Sequence, residues 1–166
     1  MDYQPNVECV RSFAQQAMPR IVEAWPEARF AIVGRRPVPK VRALDGHDGV
    51  IVVGEVPDVR PWLAAASVVV APLQIARGIQ NKVLEAMAMG RPVVASPAAF
   101  EGIDAEPGRD LLVADGGAGQ AEAVLALLAD PARATSMGKA GRRRMVEGYS
   151  WDARLAPLAG LMGLAA

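Results

Sequence analysis

The sequence is short of the residues on which several chemistries depend. Its 166 residues include one cysteine, Cys9, and one histidine, His47. An intrachain disulfide is therefore excluded, and a zinc site built from Cys and His has too few ligands. A Ser-His-Asp arrangement would have to use His47, which sits in a Gly- and Asp-rich stretch unsuited to a rigid catalytic base. Asp45, His47 and Asp48 lie beside Gly46 and Gly49, so they read as a mobile turn and not as metal ligands. No metal is expected. Charge of either sign is not in excess, since 18 Lys and Arg face 18 Asp and Glu. A non-specific nucleic-acid binder needs a basic field to displace counterions from phosphates, so nucleic acid is not an expected partner. No run of about 18 apolar residues is present, so no membrane-spanning helix is expected. The first residues, MDYQPNVECVRS, lack the apolar stretch of a signal peptide. The cytosol is the expected compartment.

What the sequence does have is apolar residues, 52% of the total, enough for one packed domain. They fall into runs. Phe30–Val33 runs into Gly34, Val50–Val53 into Gly54, and Val68–Ala71 into Pro72. Pro92–Ala95 follows Gly90-Arg91, and Leu111–Val113 runs into Ala114-Asp115. Continuous apolar runs are the mark of strands covered on both faces. Between them lie Ala-rich amphipathic segments. One helix is expected over 7–24, capped by Asn6 and broken near Pro19. Others are expected from Asp58, over 80–89 ending at Gly90, over 118–129, and from Pro131 to about Gly148. Ser150 is placed to cap a last segment containing Pro157. Alternation of strand and helix predicts an α/β fold, a Rossmann-like doubly wound parallel sheet. In such sheets ligands bind beyond the carboxyl ends of the strands, which points to loops 34–40, 54–58, 72–80, 96–102 and 114–117.

The stretch from Ala71 to Ser96, APLQIARGIQNKVLEAMAMGRPVVAS, carries the chemistry. A strand ends, a loop with Arg77-Gly78 follows, and a helix starts near Gln80. The first amides of a helix are unsatisfied and its start is positive, which favours an anion. Gly78 permits close approach to the backbone. Arg77 and Lys82 place two cations at this positive end, at a cost of about 0.3–1 kcal/mol each unless an anion is bound. Lys82 and Glu85 share a helix face. They read either as a helical ion pair or as a phosphate contact and an acceptor for vicinal hydroxyls.

The strings NKVLEAMAMGRPVVAS, EGI at 101–103 and GRDLLV at 108–113 resemble the C-terminal domain of a GT-B glycosyltransferase of the family 4 type. AIVGRR, VVGEVPDVRPWLAAASVVVAPL and the closing YSWDARLAPL fit the same domain, so the resemblance spans nearly the whole chain. Within the family the chain looks most similar to sugar transferases of bacterial exopolysaccharide and exosortase systems.

The resemblance implies a domain that binds a nucleotide diphosphate sugar for retaining transfer to an acceptor hydroxyl, with no cofactor beyond the donor. Residues 1–166 are then the donor-binding half of a two-domain enzyme. The other half would supply the acceptor site, for a lipid-linked or glycan acceptor, and the catalytic base. Glu85 matches the second of the family's paired glutamates, at the donor ribose. Gly78 and Ile79 match the loop facing the donor sugar and phosphates, Lys82 a lysine at the diphosphate, and Gly54, Glu55 and Val56 the turn beside the base. The first paired glutamate, eight positions before Glu85, is replaced by Arg77, which would instead stabilise the leaving diphosphate. The basic pair after the family's first strand is absent, its lysine aligning near Pro5-Asn6. That first, central strand would fall before Met1, so five parallel strands with an absent centre are expected.

The Arg77 replacement also admits a non-catalytic nucleotide-sugar or sugar-phosphate binding module. A receiver-type signalling domain would need an acidic cluster and a strand-end aspartate where Gly54-Glu55-Val56 and Pro72-Leu73-Gln74 stand. Trp25, Trp62 and Trp151 read as core or helix-packing residues, and Cys9 as a small helix-face residue. Arg142–Arg144 read as a solvated helix face, or as a patch for anionic headgroups at the inner face of a membrane. Glu101-Gly102 is a candidate cleft edge.

Overall fold

The computed structural model describes residues 3–150. The strands are β1 (Phe30–Val33), β2 (Val50–Gly54), β3 (Val69–Ala71), β4 (Val93–Ala95) and β5 (Leu112–Val113). The helices are α1 (Gln4–Gln16), α2 (Met18–Ala24), α3 (Pro39–Arg42), α4 (Arg60–Ala65), α5 (Asn81–Ala88), α6 (Pro97–Phe100), α7 (Gly116–Ala129) and α8 (Pro131–Tyr149). All strand pairings are parallel, and the expected α/β class is observed.

The strands do not form one sheet. β1 and β2 make a two-stranded sheet, and β3, β4 and β5 a separate three-stranded one in that order. Among the described residues no strand joins the two sheets, and residues 4–6 are helical. Five parallel strands are observed, as expected, divided between two sheets. α1 and α2 both pack on α7, while α1 also meets α3.

Burial separates the two sheets. All three residues of β4 are buried. In the smaller sheet Ala31 and Ile51 are exposed, Ile51 by 43%. The expectation that every run is covered on both faces therefore fails on the face of β1 and β2 that carries the paired Ala31 and Ile51, because faces are covered by packed helices and not by ladder partners. The core runs from Val10, Phe13 and Ile21 on α1 and α2, through Ile32 and Val94, to Leu127 on α7 and Met137 on α8. Full burial of such side chains stabilises by about 1.5–3 kcal/mol each.

The helix starts correct the capping expectations. α1 begins at Gln4 with Tyr3 before it and Pro5 in the first turn, so Asn6 lies inside the helix and does not cap it. Proline's fixed φ and missing N–H suit that turn and set the start earlier. The break comes at Ala17, before Pro19, which sits in the first turn of α2. Asp58 accepts from the backbone N–H of Arg60 at 2.9 Å, while Val59 is the residue preceding α4. α3 and α6 are single turns absent from the sequence reading. At the other end, α8 packs on α5 through glycine. A Cβ at Gly138 would lie 2.1 Å from the carbonyl oxygen of Gly90.

Trp25 and Trp62 are 43% and 40% exposed, so neither is a core residue. Cys9 is buried, its thiol donating to the Asn6 carbonyl at 3.2 Å, and burial pushes its pKa up. Of the arginine triplet, Arg142 bonds the Ala88 carbonyl at 2.7 Å and Arg144 the Asp104 carbonyl at 2.8 Å. Arg142 and Arg143 are exposed, as a solvated face requires, while Arg144 is half-buried. Asp45 accepts from the Val52 amide at 2.7 Å, and Gly46 and Gly49 take positive φ, which builds a defined turn around His47. Trp151, Pro157 and the terminal segment lie outside the described residues.

Candidate functional site

A cleft of about 310 Å³ opens where β3 ends. One wall is the loop after β3, with Leu73, Ile75, Arg77 and Ile79. The other is the first turn of α1, with Tyr3, Pro5 and Asn6. The first turn of α5, with Asn81 and Lys82, closes the end. Two of the lining residues, Arg77 and Lys82, are cationic and none is acidic. Two helix starts, each with a positive end, converge on the same space. The cleft therefore suits an anion.

The loop is shaped by its own contacts. Gly78 has φ of +67°, a conformation that L side chains rarely adopt. Gln80 precedes α5 and makes no side-chain cap; its amide instead donates back to the Gly78 carbonyl at 3.0 Å. The amides at the start of α5 thus have no side-chain cap. Buried Ser96, after β4, donates to the Leu73 carbonyl and caps α6 by accepting from the Ala99 amide at 3.1 Å. This fixes the root of the loop. Gln74 reaches Ser12 on α1 at 3.3 Å, tying the loop to the facing wall.

Lys82 does not form the helical ion pair that its spacing from Glu85 allows. Its ammonium donates to Asn6 Oδ1 at 2.7 Å instead of pairing with Glu85 one turn on. Glu85 is exposed on α5 and is not a lining residue. Arg77, Ile79 and Lys82 line the cleft, and Gly78 belongs to the same loop. Gly54, Glu55 and Val56 end β2 in the other sheet and do not line it. A Cβ at Gly102 would lie 3.5 Å from Ile79 Cγ1, so the 101–102 turn abuts the loop. Tyr3 is a cleft residue that the sequence does not single out, Asn6 enters it only as a cap and as the place where the family's lysine aligns, and Gln80 only as the end of loop 72–80. Asn6 and Lys82 are 76 positions apart, and no local pattern signals that contact.

Among the described residues no group of three or more His, Cys, Asp or Glu is placed to hold a metal ion. No helix among them is long and apolar enough to cross a membrane.

Comparison with known proteins places these features in a family. Residues 2–130 match the model for glycosyl transferases group 1. A GDP-mannose-dependent monoacylated alpha-(1-6)-phosphatidylinositol monomannoside mannosyltransferase of Corynebacterium glutamicum is 32% identical over 149 residues, covering 82% of this chain and 39% of that protein. The chain thus spans about two fifths of this relative's length. Among solved structures, sucrose-phosphate synthase from Thermosynechococcus elongatus superposes with a TM-score of 0.73 at 25% identity, over 95% of this chain and 44% of that one. Anabaena HepE, solved with UDP, shares the fold with a TM-score of 0.71 at 16% identity, over 91% of this chain and 45% of its own.

Proposed function

The chain belongs to the glycosyl transferases group 1 family, and we propose that it is the donor-binding domain of a family 4 type glycosyltransferase whose substrate is a nucleotide diphosphate sugar. The observation that carries this reading is the cleft after β3, with two cations, two helix starts and no acid on its walls. Such a site favours a diphosphate over a neutral ligand. The mannosyltransferase relative is named for a nucleotide-sugar donor, and HepE was solved with UDP. Both support a nucleotide diphosphate as the ligand class.

In the proposed reaction the bond between the donor's anomeric carbon and the diphosphate oxygen breaks. The electron pair leaves with the diphosphate, and the sugar is transferred with retention to an acceptor hydroxyl. Arg77 and Lys82 meet the charge that develops on the leaving group, where fixed donors are worth most. The backbone amides of Gly78 and Ile79 are assigned to the sugar and phosphates on the family resemblance. Glu85 accepts hydrogen bonds from the ribose hydroxyls, and Gly54, Glu55 and Val56 flank the base. The donor is the substrate and no further cofactor is assigned. The acceptor, a lipid-linked or glycan hydroxyl, and the base that takes its proton belong to an N-terminal domain that completes the enzyme. The setting is the synthesis of exopolysaccharide or another cell-surface glycan, in the cytoplasm at the inner membrane face.

Titration calorimetry with UDP, GDP and their sugar conjugates tests the reading. The isolated chain is expected to bind one nucleotide series weakly, with little or no transfer. Glu85→Ala should weaken binding by about three- to tenfold, the worth of an ordinary hydrogen bond at an exposed site. No binding by any nucleotide, with Glu85→Ala indistinguishable, would overturn it. Arg77, standing where the resemblance expects a glutamate, favours one other reading, a binding module without transfer activity. Assay of transfer by the full two-domain protein separates the two.

A further inference from the structure

We infer that Asn6 is a positioning residue for the diphosphate subsite: its neutral side-chain amide aims the Lys82 ammonium into the cleft without cancelling its charge. The inference rests on the donor-binding reading above. Lys82 carries three N–H donors on a flexible stem, and left alone it would sample many rotamers. Asn6 Oδ1 accepts one of those donors at 2.7 Å and leaves two for a ligand. Both residues line the cleft.

Asn6 is itself held. Its backbone N–H donates to the Tyr3 carbonyl at 2.9 Å, and its carbonyl accepts from the buried Cys9 thiol at 3.2 Å. The facing loop is tied to the same helix through Gln74 and Ser12. α1 therefore fixes both the loop with Arg77 and the direction of Lys82. The identity of the acceptor matters. A carboxylate at position 6 would hold Lys82 equally well but neutralise it, whereas an apolar residue would leave the charge intact and release it. A neutral acceptor such as the amide does neither. A purely structural role for Asn6 makes the opposite demand. It tolerates aspartate, which suits the first turn of a helix.

The test uses the whole chain with UDP against UMP and GDP against GMP, by calorimetry. With the base that binds, the wild type is expected to prefer the diphosphate. Asn6→Ala and Asn6→Asp should each reduce that preference by about three- to tenfold, with monophosphate affinity changed by about twofold at most. Lys82→Met should reduce it similarly, and Asn6→Ala added to Lys82→Met should cause no further loss. Melting temperatures are measured alongside, and Asn6→Asp is expected to fold as the wild type does. A wild-type preference retained by both Asn6 variants, or losses that add in the double variant, would overturn the inference while leaving the donor reading intact. Failure of the wild type to bind either diphosphate overturns the donor reading, and the inference with it.

Discussion

At the scale of single residues, one buried carboxylate outside the cleft makes a pH-dependent prediction. Asp110 is 1% exposed and is held by the Arg109 guanidinium, at 2.9 and 3.0 Å, and by the Glu106 amide at 2.9 Å. The Arg109 contact comes first in holding its pKa below the ordinary carboxylate range, against a desolvation that acts the other way. Because the folded form holds its proton less tightly than the unfolded chain, the group's stabilisation is complete above about pH 4 and is lost as pH falls through the folded pKa. Asp110→Asn is expected to cost about 1–3 kcal/mol at neutral pH. It should also flatten the fall of stability below about pH 4, as urea melts across that range would show. An unchanged acid profile would contradict the assignment. The cleft residues differ in how legible they were. Arg77 and Lys82 stand out as two cations at a helix start, a local conflict visible in eleven consecutive letters from Pro72 to Lys82. Asn6 does not, because an asparagine before a helical segment looks like a cap until Pro5 is seen to start the helix earlier.

At the scale of elements, contact between α5 and α8 depends on missing side chains. The Gly138 site meets backbone atoms of Gly90 and Arg91, which cannot swing aside. Gly138→Ala should therefore destabilise the fold by about 1–3 kcal/mol or more, even though alanine is the better helix former. Gly119 on α7 has nothing within 4 Å of its would-be Cβ, and Gly119→Ala should gain up to about 1 kcal/mol. Paired thermal or urea melts check both signs. Strands were legible because each apolar run ends in a glycine, a proline or a polar residue, and the structure keeps every one within a residue or so. α3 and α6 were not, since four residues make barely one turn and leave no periodicity to read. Burial on the faces of β1 and β2 was illegible for another reason. The apolar run shows what a strand is able to bury, while its neighbours decide what is buried.

At the scale of the whole molecule, α/β alternation determined the class, and the division of five parallel strands into two sheets is the structure's own. Two sheets joined by helices and not by a ladder should lose protection separately. Hydrogen exchange is expected to be slowest in β4, whose residues are all buried, and faster in β1 and β2. Uniform protection across both sheets would contradict this. The convergence of the α1 and α5 starts on one cleft has a further consequence, given that the chain's formal charges cancel. A body with no net charge exerts little long-range pull on an anion, but a local positive pole exerts a torque on one that carries its charge at one end. On the donor-binding reading proposed above, a nucleotide approaching this mouth would be turned before it is drawn in. Added salt, which screens beyond about 8–10 Å, removes little from a steering force that acts mainly within that range.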